Sequence, residues 1–157
     1  MKEDLREYPG VALAYPLALE SYQWAVKRFD AIDSKIQTML GLGISFTLAA
    51  PIAFSALRLQ THNGWFIAAI CLFIFAFAAG IIGRIKGRLM IITPAVLYND
   101  WLHFPEAEFQ KNLIYFAGQH LNANIHLIAL KQRFLVASTI IFSLEALCLV
   151  LSAAFQY

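Results

Sequence analysis

Charge is scarce in this 157-residue chain, and that scarcity excludes more than any motif does. Only 14% of its residues are Asp, Glu, Lys or Arg, against roughly 25% in ordinary globular domains. The formal net charge of +2 is too small to hold a polyanion, so no nucleic-acid polymer is expected as a partner. Cysteine is scarcer still. Cys71 and Cys148 are the two present; they form no CxxC, and no histidine pair has metal-ligand spacing, so neither a disulfide framework nor a metal site is expected. There is no nucleophile elbow, phosphate loop, zinc-hydrolase motif or carboxylate dyad, and no cofactor motif; the chain does not read as an enzyme. Nor does its start read as a secretory signal. Glu3, Asp4 and Glu7 crowd it, the first long apolar run begins only at residue 39, and Gly does not follow Met1 as lipidation would require.

What fills the space is apolar. Hydrophobic residues make up 60% of the chain and mean hydropathy is +0.63. Three runs stand out, at 39–57, 65–83 and 134–155, and within them the one charged side chain is Glu145. At about 1.5 Å per residue, runs of this length cross the roughly 30 Å hydrocarbon core as helices. The fold class expected is an all-α, integral membrane helical bundle with three transmembrane helices, two of which extend into the cytoplasm. Orientation follows from basic residues at the span ends. Lys27, Arg28 and Lys35 precede the first run, Arg84, Lys86 and Arg88 follow the second, and Lys131 and Arg133 precede the third. The 58–64 loop holds only Arg58, so the N-terminus and the 84–133 segment should be cytoplasmic and the C-terminus outside, in a bacterial inner membrane.

Residues 1–16 are punctuated by Pro9-Gly10 and Pro16 and read as an irregular lead; 17–157 reads as one helical membrane domain. Tyr22, Val26, Phe29, Ile32, Ile36 and Met39 recur every three or four residues, which predicts a helix from about residue 17 straight into the first span. Pro51 should bend that span. In the second, Ala76/Gly80 and Ala79/Gly83 are small-xxx-small pairs that let helix backbones approach, either within a tight hairpin or between protomers. The 89–97 stretch is apolar but interrupted by Pro94, and predicts either a continuation of span two or a helix on the membrane surface. Asn99–Phe104 reads as a turn. Pro105-Glu106 then suits a first helical turn, and Phe109, Leu113, Phe116, Leu121, Ile125 and Ile128 lead into the third span, with Gly118 as a weak point.

Glu145 is the sharpest signal for chemistry, because an ionisable group at mid-bilayer costs at least about 2.5–3.5 kcal/mol. It either lines a pore, with Ser45 and Thr47 as polar companions, or hydrogen-bonds Ser45, Thr47 or Ser143 at a helix contact. A polar ladder, Gln119, His120, Asn122, Asn124 and His126, precedes the third span. His120 and His126 are six apart and share no face as a ligand pair, whereas His120 and Asn124 are four apart and could serve one site. Arg84, Arg88, Lys131 and Arg133, with Trp24 and Trp101, could hold a phosphorylated nucleotide by charge and stacking; positive-inside anchoring explains the same cations without a ligand. Arg28 and Asp33, ahead of span one beside Lys35, should pair across to the last helix, at Lys131 or Arg133.

Trp24-x3-Arg28-x4-Asp33-x-Lys35 followed at once by a Gly-rich span resembles the start of small bacterial anti-phage membrane effectors, the Pycsar transmembrane effector domain and the broader SLATT superfamily. The stretch from Tyr115 to Lys131, leading into a final span, is similar to the Pycsar-type ending. The resemblance covers about residues 20–155 and rests on topology and a few loosely spaced residues. It implies a homo-oligomeric, pore-forming effector in contact with membrane lipid, gated by a nucleotide second messenger or a soluble defence protein and acting in abortive infection. The chain departs from that pattern in having no separate nucleotide-binding domain and in exceeding the SLATT plan of two spans plus a helix. The other reading is a non-conducting membrane scaffold or sensor subunit that recruits a cytoplasmic partner through residues 105–133.

Overall fold

The computed structural model describes residues 10–57 and 63–155. Among them lie α1 (Val11–Ala56), α2 (Gly64–Ile85), a single turn α3 (Pro94–Val96) running into a π-helical turn (Leu97–Trp101), and α4 (Glu106–Ala154). No strand occurs among the described residues, and α1, α2 and α4 are each long and apolar enough to cross a membrane. The chain is an all-α helical protein with three such helices. Arg58 and residues 1–9 of the irregular lead fall outside the described residues.

Three local expectations are corrected. α1 begins at Val11 rather than near residue 17. Pro16 sits so close to the helix start that its missing N–H forfeits a single early hydrogen bond. The 89–97 stretch is neither a continuation of α2 nor a surface helix: 87–93 is irregular, and only the turn at Pro94–Val96 is α-helical. Two residues enforce this. Gly87 takes φ +81° just beyond the end of α2, a left-handed conformation that suits glycine at a helix C-terminus, and Pro94 disfavours helical geometry at Thr93. Finally, Gly118 does not interrupt α4. α1 likewise runs through Pro51 to Ala56, although the absent N–H leaves the Thr47 carbonyl without its usual helical donor.

Contacts group the chain into two units, Met1–Asp30 with Gly87–Ala129, and Ala31–Lys86 with Leu130–Tyr157. All three apolar runs fall in the second, here called the membrane unit. Its side chains mostly point outward: Leu42, Leu48, Ile52, Phe75, Ile140 and Val150 are each at least half exposed. A soluble surface rarely carries so much contiguous apolar area, and contact with lipid accounts for it. Inside, small residues let the helices close up. Ala76, Gly80 and Gly83 are buried, with Gly80 against the end of Leu40 and Gly83 against Phe134 and Ile36. The small-residue face of α2 is therefore used within the chain. At one end of this unit Phe54, Phe66, Ala69 and Leu149 form an apolar cluster, the two phenyl rings 5.4 Å apart. Asn63 caps α2 there by accepting from the Phe66 N–H at 2.9 Å.

The other unit packs around Ala25, Trp101, Leu113, Ala117 and Ile128. Trp101 meets Phe116 at 5.1 Å and Phe109 edge-on at 5.9 Å. The irregular segment 87–93 is pinned by side chains. Asn124 accepts from Met90 N–H and donates to Met90 C=O, each at 2.9 Å, and the Tyr22 hydroxyl accepts from Ile92 N–H at 3.1 Å.

A Cβ at residue 83 would lie 2.6 Å from the Cβ of Phe134, an atom that cannot move without its backbone. Gly83→Ala is therefore expected to destabilise the membrane unit by about 1–3 kcal/mol. Gly41, within the apolar run of α1, has open space where a Cβ would go, and Gly41→Ala should be neutral or stabilising by up to about 1 kcal/mol. Reversible unfolding of the two variants in mixed micelles compares them directly.

Candidate functional site

The buried face of α4 carries a pattern that hydropathy does not reveal. Asn124, Lys131, Ser138, Glu145 and Ser152 are all fully buried or nearly so, and they stand at steps of seven. A seven-residue period keeps one seam of a helix facing its neighbours, so the seam of α4 presents a polar side chain once per two turns. Leu113, Ala117, Ile128 and Leu149 fill buried positions between or beyond them.

Each rung has its own chemistry. Asn124 holds the Met90 backbone, as described. Lys131 donates to Asp33 Oδ1 at 2.6 Å and to the Arg84 carbonyl at 3.0 Å; its side chain is 1% exposed, against 33% for Asp33. Glu145 Oε1 lies 2.5 Å from Thr47 Oγ1, which also reaches the Gly43 carbonyl at 2.8 Å. The Thr47 hydroxyl is the donor in both contacts, shared between the Glu145 side chain and its own helix. Ser152 donates to Asn63 Oδ1 at 2.8 Å while Asn63 Nδ2 donates to the Ser152 carbonyl at 3.0 Å. The Ser138 hydroxyl is buried without a hydrogen-bond partner among the described residues.

Beside the Glu145 rung a groove of about 750 Å³ opens on the side of the membrane unit. Lys35, Thr38, Leu42, Ser45 and Phe46 of α1 line it with Phe142 and Glu145 of α4. Its polar residues are weakly committed: Thr38 and Ser45 donate to the carbonyls of Ser34 and Gly41 in their own helix, and Lys35 has no carboxylate in ion-pair range among the described residues.

The residues singled out in the sequence thus divide. Asp33 and Lys131 meet, one of the two pairings expected, and Glu145 meets Thr47. Ser45 and Lys35 face the groove. Arg84 is exposed and reaches Gln37 at 3.5 Å, and Arg133 is exposed. Arg28, Arg88, His120 and Asn124 belong to the other unit. Arg28 lies over the Trp24 ring at 5.3 Å, and Arg88 is exposed. Trp101 offers no open face to a nucleotide at the surface, being 6% exposed beside Phe109 and Phe116. Cys71 and Cys148 are free thiols, and no group of three metal-ligating side chains occurs among the described residues. The Asn63–Ser152 pair is not among the residues singled out in the sequence, although an Asn directly ahead of an apolar run is an N-cap signal. The seven-residue spacing of the polar rungs was legible as well.

No family model, curated protein or solved structure matches the chain.

Removing one partner of a buried ion pair strands the other, and here the more deeply buried charge is Lys131. Asp33→Asn should therefore cost more than Lys131→Met, by about 3 kcal/mol against about 1–2 kcal/mol, and the double variant should cost less than the sum. Unfolding free energies in mixed micelles test this; equal costs with simple additivity would show that the pair is not coupled.

Proposed function

We propose that this chain is a membrane-permeabilising effector that works as a homo-oligomer. The observation that carries the reading is the side groove. A polar stripe of Lys35, Thr38 and Ser45, continuous with a carboxyl at Glu145, stands on the outer face of an otherwise lipid-facing unit. Polar groups at membrane depth ordinarily face a bundle interior or a wet cavity, and copies assembled groove to groove would supply one. The interior seam is not that conduit, since four of its five rungs have partners within the chain. The resemblance to bacterial anti-phage effectors supplies the setting: an inner-membrane location with the N-terminus and residues 84–133 cytoplasmic, and release by a nucleotide second messenger or a soluble defence protein. A signal bound by the water-facing residues shifts the population toward the conducting arrangement only insofar as it binds that arrangement more tightly.

A second reading, a non-conducting scaffold or sensor subunit that recruits a cytoplasmic partner, draws on the internal pairing of the seam, which suits a rigid anchor as well as a channel wall.

Potassium efflux from proteoliposomes separates the two. Leakage is expected from the full chain, constitutive or on addition of one of a panel of cyclic and oligonucleotides. Ser45→Leu, an exposed change that leaves the seam intact, should reduce it at least severalfold. Glu145→Gln, which keeps a hydrogen-bonding group opposite Thr47, should change the single-channel conductance. Tight liposomes with confirmed insertion, under every condition, would leave the scaffold reading in its place.

A further inference from the structure

We infer that the unit formed by Gly87–Ala129 and the start of α1 holds a binding site for a small planar aromatic molecule bearing one N–H or O–H donor, with His120 Nδ1 as the acceptor. The inference stands on this unit alone and does not depend on how the membrane unit acts.

A cavity of about 190 Å³ is lined by Ile91, Ile92, Thr93, Val96, Trp101, Phe116 and His120. Its walls are fixed before any ligand arrives. The Ile91–Thr93 side belongs to the irregular segment that Asn124 clamps at Met90 and Tyr22 holds at Ile92. The remaining lining includes an aromatic cluster: Trp101 lies against Phe116 at 5.1 Å, and His120, one turn further along α4, stands 6.4 Å from Phe116 with its ring at 68° to it. A site whose side chains are already held loses little ordering entropy on binding.

The chemistry of the lining narrows the occupant. Seven residues contribute, and three of them, Thr93, Trp101 and His120, carry a polar side-chain atom; Trp101 Nε1–H can only donate, which leaves the Thr93 hydroxyl and His120 Nδ1 as side-chain acceptors. His120 Nδ1 is buried and has no hydrogen-bond partner among the described residues. Leaving such an atom unpaired costs about 1–3 kcal/mol, so the site gains from whatever donates to it. Water is a poor filler. An ordered water takes about three hydrogen bonds, and this lining offers three polar side chains in all to a volume that would hold several waters. Apolar cavities of about 150 Å³ stay dry and accept benzene, so the size suits a flat molecule of one or two fused rings. With its proton on Nε2, the imidazole presents the Nδ1 lone pair to one donor on that ring. Aromatic rings, Trp101, Phe116 and His120, make up three of the seven lining side chains, a composition that favours flat π-systems over alkyl chains.

Indole is the probe of choice, tested on the full chain in lipid nanodiscs labelled with 15N-histidine. His120 is assigned by the signal lost in His120→Phe. Indole is expected to shift the His120 resonances saturably, while those of His103 and His126 drift only with its partitioning into lipid. 1-Methylindole, which has the same ring but no N–H, should bind more weakly by several-fold to about tenfold, the contribution of one hydrogen bond. Val96→Phe, which fills the cavity from its exposed rim and leaves His120 in place, should abolish the saturable shift. A His120 response that stays linear in indole, or equal affinities for the two indoles, would overturn the proposal, as would undiminished binding in Val96→Phe.

Discussion

Everything in the membrane unit depends on the seam of α4 meeting partners that are each correct at only one register. Apolar contacts alone would not impose this: between helices in lipid there is no hydrophobic drive, and Leu against Leu is nearly as good one turn away. Lys131 is different. It needs Asp33 and the Arg84 carbonyl together, which sets α4 against both α1 and α2 at a single height. Fourteen residues on, Glu145 repeats the demand against Thr47, and Ser152 repeats it against Asn63. Buried ionic and polar groups contribute little net stability and are best attested as register devices. The rungs use that property three times along one unit, with chemistries that do not substitute for one another.

The same rungs explain why the small residues lie where they do. A lysine and a glutamate can be buried in lipid only if their partners come close, and close approach needs helices without bulky side chains at the crossing. Gly83 next to Phe134 and Gly43 beneath the Phe142 ring bring α2 and α1 against α4 on either side of the polar contacts. Packing and hydrogen bonding are therefore one constraint here. A methyl group at residue 83 acts on the Lys131 contacts as well as on Phe134, because Arg84, whose carbonyl receives Lys131, is the next residue.

The spans, the all-α class and the pairing of Asp33 with Lys131 were legible in the sequence because each has a local signature: uncharged length, helical period, and opposite charges at the two membrane-proximal ends. Glu145 was legible as an anomaly, and Thr47 as one of three hydroxyls that might answer it; which one did depends on rotation of α1 about its axis, which composition does not encode. The 89–97 stretch misled because its apolar content suits a helix, while its backbone is decided by Gly87 and Pro94 and by an amide more than thirty residues away. The cavity at His120 was out of reach for the same reason. Ile91, Phe116 and His120 become neighbours only after Asn124 has captured Met90, and no spacing rule links those positions. The seven-residue rung pattern is written in the sequence, yet its residues are evenly spread rather than clustered, and only the packing of α4 shows that they share a buried seam.

The register lock also restricts how the protein can change shape. A slip of α4 by one turn, about 5.4 Å, is a common route for helical switches. Here it would break the Lys131, Glu145 and Ser152 contacts at once, leaving a buried ammonium and a buried carboxyl without partners, a combined cost far above the few kcal/mol that separate the states of a working switch. Any transition of low cost must leave the seam closed and move something else. Within the membrane unit one feature not tied to the seam's pairing is the outer groove wall, where Lys35, Thr38 and Ser45 have no side-chain partner on another helix among the described residues. Changes there cost contacts with lipid, not buried hydrogen bonds. A low-cost change of shape would therefore rearrange what surrounds the three-helix unit rather than remodel the unit itself.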